Sequence, residues 1–197
     1  MEKRYDIFER TKNKNIKGYN ENLHTGLLRH LYMRINKQGK VMLSLVLNGK
    51  ALKDKLTEDK FCRYITGLYP DIVSVYINRN TERTNVIIGE DFRLLYGQDY
   101  LEDELLGVKL RMSPDSFFQV NREGAELVYN TAFSMLEGKN FKNVYDLYCG
   151  VGSIGLTLFS QIKSGALDTS AERLFGIEIV EKAAEWARFN AESNGIK

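Results

Sequence analysis

Between Asn143 and Phe159 the chain reads NVYDLYCGVGSIGLTLF: an apolar run that meets an acid, then three glycines, then a second apolar run. This pattern predicts strand, tight turn and helix. Val144, Tyr145, Leu147 and Tyr148 suit a strand buried on both faces. Gly150, Gly152 and Gly155 fall where a chain leaving such a strand turns sharply and lets a ligand approach its backbone. Ile154, Leu156, Leu158 and Phe159 then start a helix whose free N–H groups face that ligand.

Taken alone, G-x-G-x-x-G is a weak signal, because dinucleotide-binding folds use the same glycines for a pyrophosphate. Asp146 shifts the balance. It lies four residues before Gly150, at the strand's end, where a carboxylate meets a cation or a hydroxyl and repels a pyrophosphate. S-adenosylmethionine has no phosphate and carries an ammonium and a sulfonium. A second acid stands where either cofactor needs one. Leu174-Phe175-Gly176-Ile177-Glu178-Ile179 reads as the next parallel strand, with Glu178 at its carboxyl end to accept hydrogen bonds from two ribose hydroxyls. Its separation from Gly150, 28 positions, exceeds the roughly 20 of the dinucleotide fingerprint. In isolation Glu178 reads as a solvated strand-end carboxylate; after Asp146 and the glycines, the cofactor assignment is the better one.

The 197 residues, 43% of them hydrophobic, suffice for one sizeable core or two small domains. No apolar run approaches membrane-spanning length, and MEKRYDIFER lacks the apolar centre of a signal peptide, so the expected location is cytoplasmic with no membrane partner. Cys62 and Cys149 then read as reduced thiols; two cysteines alone cannot hold a metal or an iron–sulfur cluster. Residues 1–60 hold 14 Lys and Arg against 7 Asp and Glu. That basic half could track a phosphate backbone through Lys12, Lys14, Lys17, Arg29, His30 and Arg34, although a solvated basic surface explains the surplus equally well.

From Leu28 to Met112 the pattern is strand-rich. Leu31–Ile35, a turn at Asn36–Gly39 and Val41–Leu47 predict a hairpin, followed by an amphipathic helix from a cap at Thr57 to Leu68. Further strands are expected at Ile72–Asn78, Val86–Gly89, Phe92–Tyr96 and Val108–Met112, giving an antiparallel sheet backed by a helix. Next comes Ser113-Pro114-Asp115-Ser116-Phe117-Phe118-Gln119-Val120-Asn121, then a helix from Arg122 to about Leu136 capped by Asn121. Phe117 and Phe118 read either as docking side chains or as neighbours of a functional Gln119 whose amide is aimed at a polar ligand in the glycine turn.

The segments SPDSFFQVN, DLYCGVGSIG and FGIEIVEKAAEWARFNAESNG, preceded by HTGLLRHLYMR, together resemble the bacterial RNA uracil-C5 (5-methyluridine) methyltransferases, particularly those acting on 23S ribosomal RNA. The resemblance runs from His24 to Lys197. It implies α/β plus α+β architecture: a central antiparallel α+β domain over residues 1–112, followed over 113–197 by the first two βα units of a Rossmann-like S-adenosylmethionine-dependent methyltransferase domain. By position, Gln119, Tyr148 and Glu178 match the family's cofactor contacts, Ser153 stands in the glycine-turn position that can also contact it, and Asp146, Gly150 and Gly152 belong to the same loop. Independently, Tyr148 offers an aromatic face to an adenosine or a cation. The implied partner is RNA, ribosomal before transfer.

The family's chemistry also needs a cysteine thiolate that adds at carbon 6 of uracil and a base that removes the carbon 5 proton. In the family both lie beyond the second βα unit, and neither Cys62 nor Cys149 matches the nucleophile's motif. The expectation is a piece of a methyltransferase, without catalytic residues of its own and inactive alone. Two other classes remain: an NAD-binding oxidoreductase fragment, favoured by the glycines and opposed by Asp146, and a non-catalytic protein that binds RNA through its basic half.

Overall fold

The apolar run Val41–Leu47 forms strand β2, almost wholly buried, and its neighbours assemble around it. Strand β1 (Leu28–Ile35) pairs with β2 antiparallel across the expected turn, where the Asn36 side chain accepts from the N–H groups of Gln38 and Lys40. The computed structural model describes residues 16–196, so Lys12 and Lys14 lie outside the described residues, and the chain divides into two units, 1–101 and 102–197.

In the first unit, helix α1 (Lys55–Leu68) carries the chain to β3 (Ile72–Arg79), and β4 (Asp91–Gly97) completes a sheet of order β1-β2-β3-β4. This sheet is mixed, not antiparallel as expected. A helical crossover returns the chain to the end from which β2 started, and β3 therefore runs parallel to β2. The cap of α1 is Asp54 and not Thr57: its Oδ1 accepts the Thr57 N–H at 2.7 Å. Phe61, Cys62 and Ile65 on α1 pack with Leu43, Leu45, Leu47, Val75 and Ile77.

No strand forms over 86–89. The Asn80 amide donates to the carbonyls of Val86 and Ile87, and the Asn78 amide to those of Gly89 and Asp91, so side chains occupy acceptors that a ladder would use. Arg29 adds donations to the carbonyls of Asn80, Glu82 and Thr84.

The second unit corrects the expected domain boundary. Strands β5 (Leu101–Leu105) and β6 (Val108–Met112) form a two-stranded sheet of their own, and the division falls between residues 101 and 102, earlier than the expected 112. The cause is packing: Leu105, Val108 and Leu110 share a core with Ala125, Tyr129 and Phe133 of helix α2 (Arg122–Ser134). Asn121 caps α2 as expected, accepting the Gly124 N–H at 2.9 Å.

Strand β7 (Asn140–Leu147), helix α3 (Ser153–Ser164), strand β8 (Ser170–Ile177) and helix α4 (Glu181–Ser193) then make the two expected βα units, with β7 and β8 parallel. The strands are not buried on both faces. Val144 and Leu174 pack toward the helical core, whereas Tyr145, Leu147, Phe175 and Ile177 are exposed, the rings of Tyr145 and Phe175 stacked at 5.1 Å.

At the head of α2, Arg122 Nη2 donates to Asp103 Oδ2 at 2.8 Å, and the Asp103 carboxylate is 5% exposed. Removing the guanidinium takes the cation from a buried carboxylate that also accepts the Glu104 N–H, so Arg122→Ala is expected to lower the unfolding free energy by about 3 kcal/mol, read as a shift in the denaturant midpoint. An unchanged midpoint would show that the other partners of Asp103 suffice.

Candidate functional site

The site begins where β7 ends. Tyr148, Gly150 and Gly152 have φ of 60°, 55° and 85°, so the chain reverses through three left-handed residues in five. For Tyr148 that conformation costs about 1 kcal/mol or more. The turn is closed by the Gly152 N–H on the Cys149 carbonyl at 2.8 Å and tied to β8 by the Cys149 N–H on the Ile177 carbonyl at 3.1 Å.

Glu178 follows β8 directly. Its Oε2 accepts the Gly150 N–H and its Oε1 the Val180 N–H, both at 2.9 Å. The Val180 bond chiefly, with those from Gly150 and Ile179, holds the carboxyl below its ordinary range. It is therefore ionised at neutral pH. A carboxylate has about four lone-pair positions, so acceptor capacity remains for a hydroxyl donor beside these backbone N–H groups. A Cβ built on Gly150 meets nothing within 4 Å, which leaves open space above the loop.

Asp146 sits lower. Its Oδ2 accepts the Gly155 N–H at 2.9 Å, anchoring the first turn of α3, and burial raises its pKa against the opposing effect of that bond. A Cβ on Gly155 would lie 2.9 Å from Asp146 Oδ2 and 3.0 Å from the Leu174 side chain, so glycine is required here by contact.

Asp146, Gly152 and Glu178 line one cavity of about 270 Å³, with Cys149, Ala187 and Arg188. The other predicted residues lie outside that lining. Tyr148 projects outward, 88% exposed, and Gln119 is exposed on the segment before α2. Ser153, half-buried, has its Oγ 3.4 Å from the Tyr129 hydroxyl. Of the paired phenylalanines, Phe118 packs on the core and Phe117 is exposed. Sequence reasoning missed the small face of α4, Ala184, Ala187 and Ala191, which lines the cavity; its i, i+3, i+7 spacing was the available signal.

Neither cysteine is an activated nucleophile. Burial, reinforced by Asp59 and Glu58, pushes the Cys62 thiol up to about 11, and burial with Asp146 and Glu178 raises that of Cys149. Among the described residues no group of three or more His, Cys, Asp or Glu could hold a metal ion, and no helix is long and apolar enough to cross a membrane. The donor set suits a phosphate-free cofactor with a vicinal diol: an ionised acceptor at the strand end, an uncovered glycine backbone and an exposed aromatic ring.

No family model matches the chain. Over 182 residues, 92% of its length, it is 36% identical to a protein of Streptococcus agalactiae named an uncharacterized RNA methyltransferase. It is 35% identical over the same length to one so named in Halalkalibacterium halodurans. The chain spans 38% and 37% of those relatives. Among solved structures, the Pyrococcus abyssi tRNA (uracil-54, C5)-methyltransferase in complex with S-adenosyl-L-homocysteine superposes with a TM-score of 0.69 and 27% identity, covering 98% of this chain and 43% of that one. The Methanocaldococcus jannaschii tRNA m1G37 methyltransferase shares the fold at a TM-score of 0.51 and 15% identity.

The Glu178 link has a defined pH dependence. A carboxyl whose folded pKa is depressed contributes stability above its unfolded pKa and loses it as pH falls through the folded value. Protection of the Gly150 amide against hydrogen exchange, corrected for intrinsic rate, should therefore hold from neutrality to about pH 5 and decline below the ordinary glutamate pKa of about 4.3. In Glu178→Ala it should be low throughout, with no step.

Proposed function

We propose that this chain carries the S-adenosylmethionine-binding part of an enzyme that methylates carbon 5 of a uridine in RNA. The observation that supports this most is the Glu178 carboxylate held on the Gly150 amide at the carboxyl ends of two parallel strands. The chain is, besides, 27% identical to a protein whose structure contains S-adenosyl-L-homocysteine. Glu178 meets the ribose hydroxyls with its remaining acceptor capacity. Gly150 keeps the backbone clear for close approach, Gly152 lets the turn pass against Leu156 at the cavity lining, and Ser153 opens the helix above which the ligand lies. Tyr148 presents its ring to the adenosine or to the cationic methionine end, Gln119 supplies an amide from the segment before α2, and Asp146 fixes the start of α3 through Gly155.

When bound, the cofactor supplies an activated methyl group. This chain's residues bind and orient it; none is assigned a catalytic role, because both thiols are held protonated. The motifs favour 23S ribosomal RNA as substrate, and the tRNA specificity in the name of the Pyrococcus protein makes transfer RNA the second reading. Lys17 and Arg34 of the first unit are the candidate RNA contacts. Arg29 also donates to the loop over 80–84, and Arg34 lies over the Tyr32 ring, 5.6 Å from its centroid.

Calorimetric titration with S-adenosylhomocysteine, with NAD alongside, tests the cofactor assignment. Binding of the first alone is expected, weakened at least tenfold by Glu178→Ala, since each hydrogen bond to a charged group contributes about 1.5 kcal/mol or more. Binding of NAD alone would make the chain part of an oxidoreductase. Labelled methyl transfer by this chain to unmodified 23S or transfer RNA is expected to be nil; transfer would overturn the assignment of no catalytic residue.

A further inference from the structure

Asn190 is fully buried in the second unit and satisfied on every side. Its Oδ1 accepts the Arg111 N–H at 2.8 Å, and its Nδ2 donates to the Arg111 carbonyl at 3.1 Å and to the Val151 carbonyl at 3.0 Å. One helical turn later, Asn194 repeats the first part: its Oδ1 accepts the Lys109 N–H at 3.1 Å, and its Nδ2 donates to the Lys109 carbonyl at 2.7 Å.

The match is geometric. Four helical residues rise about 6 Å, and two strand residues about 6.6 Å, so amides at i and i+4 of a helix meet successive outward-facing peptide groups of a strand. Helix α4 thus takes the place of a third strand beside β6, through two side chains in place of a backbone ladder. Arg111 adds its guanidinium, 4.5 Å from the Phe189 ring centroid.

The third bonds differ: Asn190 Nδ2 reaches the Val151 carbonyl of the glycine turn, whereas Asn194 Nδ2 donates back to the Asn190 carbonyl at 2.7 Å. Val151 lies between Gly150 and Gly152, both left-handed, and is itself 1% exposed. The bond to its carbonyl ties the middle of the turn, between the two left-handed glycines, to α4. We infer that Asn190 is a positioning residue that sets the conformation of the Gly150–Gly152 loop for its ligand, while Asn194 serves only to dock α4. The part of this inference that concerns a ligand rests on the cofactor reading above.

The test compares Asn190→Asp, which keeps shape and the acceptor for Arg111 but loses both donations, with Asn194→Ala. Both should lower the thermal midpoint. Asn190→Asp alone should accelerate amide exchange at Gly150 and Gly152 and weaken S-adenosylhomocysteine binding about tenfold; Asn194→Ala should leave both as in the unsubstituted chain. Identical behaviour of the two variants in exchange and affinity would overturn the inference. If Asn190→Asp does not fold, the unsubstituted chain decides: its Asn190 Nδ2 protons should exchange slowly, and rapid exchange of both would overturn it. Should the unsubstituted chain bind no S-adenosylhomocysteine, the cofactor reading fails, while exchange at Gly150 and Gly152 still reports on the loop.

Discussion

The second unit is organised around one charge-assisted hydrogen bond, from the Gly150 N–H to the Glu178 carboxylate. Two parallel strands end side by side, and the chain leaves one through a left-handed turn and the other through an acid. Joining them fixes the relative height of turn and acid. It also leaves acceptor positions on the carboxylate and open space beside the glycine, the two properties that a diol-bearing ligand needs.

Everything below that bond holds the turn in place. Asp146 secures α3 through Gly155, Cys149 fills the space against Gly176, and Asn190 takes the Val151 carbonyl. These three contacts are made by a carboxylate, a thiol and an amide, all polarisable or polar groups in largely buried positions, and their partners come from α3, β8 and the loop in turn. Raised thiol and carboxyl pKa values follow from that burial and mark Cys149 and Asp146 as packing and anchoring groups.

Much of this was legible in the residues. The succession of strand, glycine turn and helix from Asn140 to Ser164 follows local pattern, as do the Asn121 cap and the Asn36 turn, because each depends on neighbours within a few positions. Long-range features were not. Whether β3 lies parallel to β2 depends on where a crossover lands, and whether β6 joins the first or second unit depends on the partners of Leu110, 15 or more positions away in sequence as Ala125 is. Val86–Gly89 has strand composition, but Asn78 and Asn80 claim its carbonyls, a competition that no periodicity reveals. The charge of Asp146 points to a ligand-facing acid and it does line the cavity, but its bond to the backbone amide of Gly155 in α3 is one that no sequence pattern reveals. Asn190 was invisible for a similar reason: an asparagine near a helix end suggests a cap, and its bonds to Arg111 lie 79 positions away.

The uncovered face of β7 and β8 carries Tyr145, Leu147, Phe175 and Ile177 with stacked rings at its centre. Apolar area left in water yields its stabilisation only when something covers it. Any second apolar surface that does so, a neighbouring molecule included, enters the folding equilibrium by mass action. The melting temperature of this chain is then a property of the solution as well as of the fold, rising with protein concentration wherever two such faces meet.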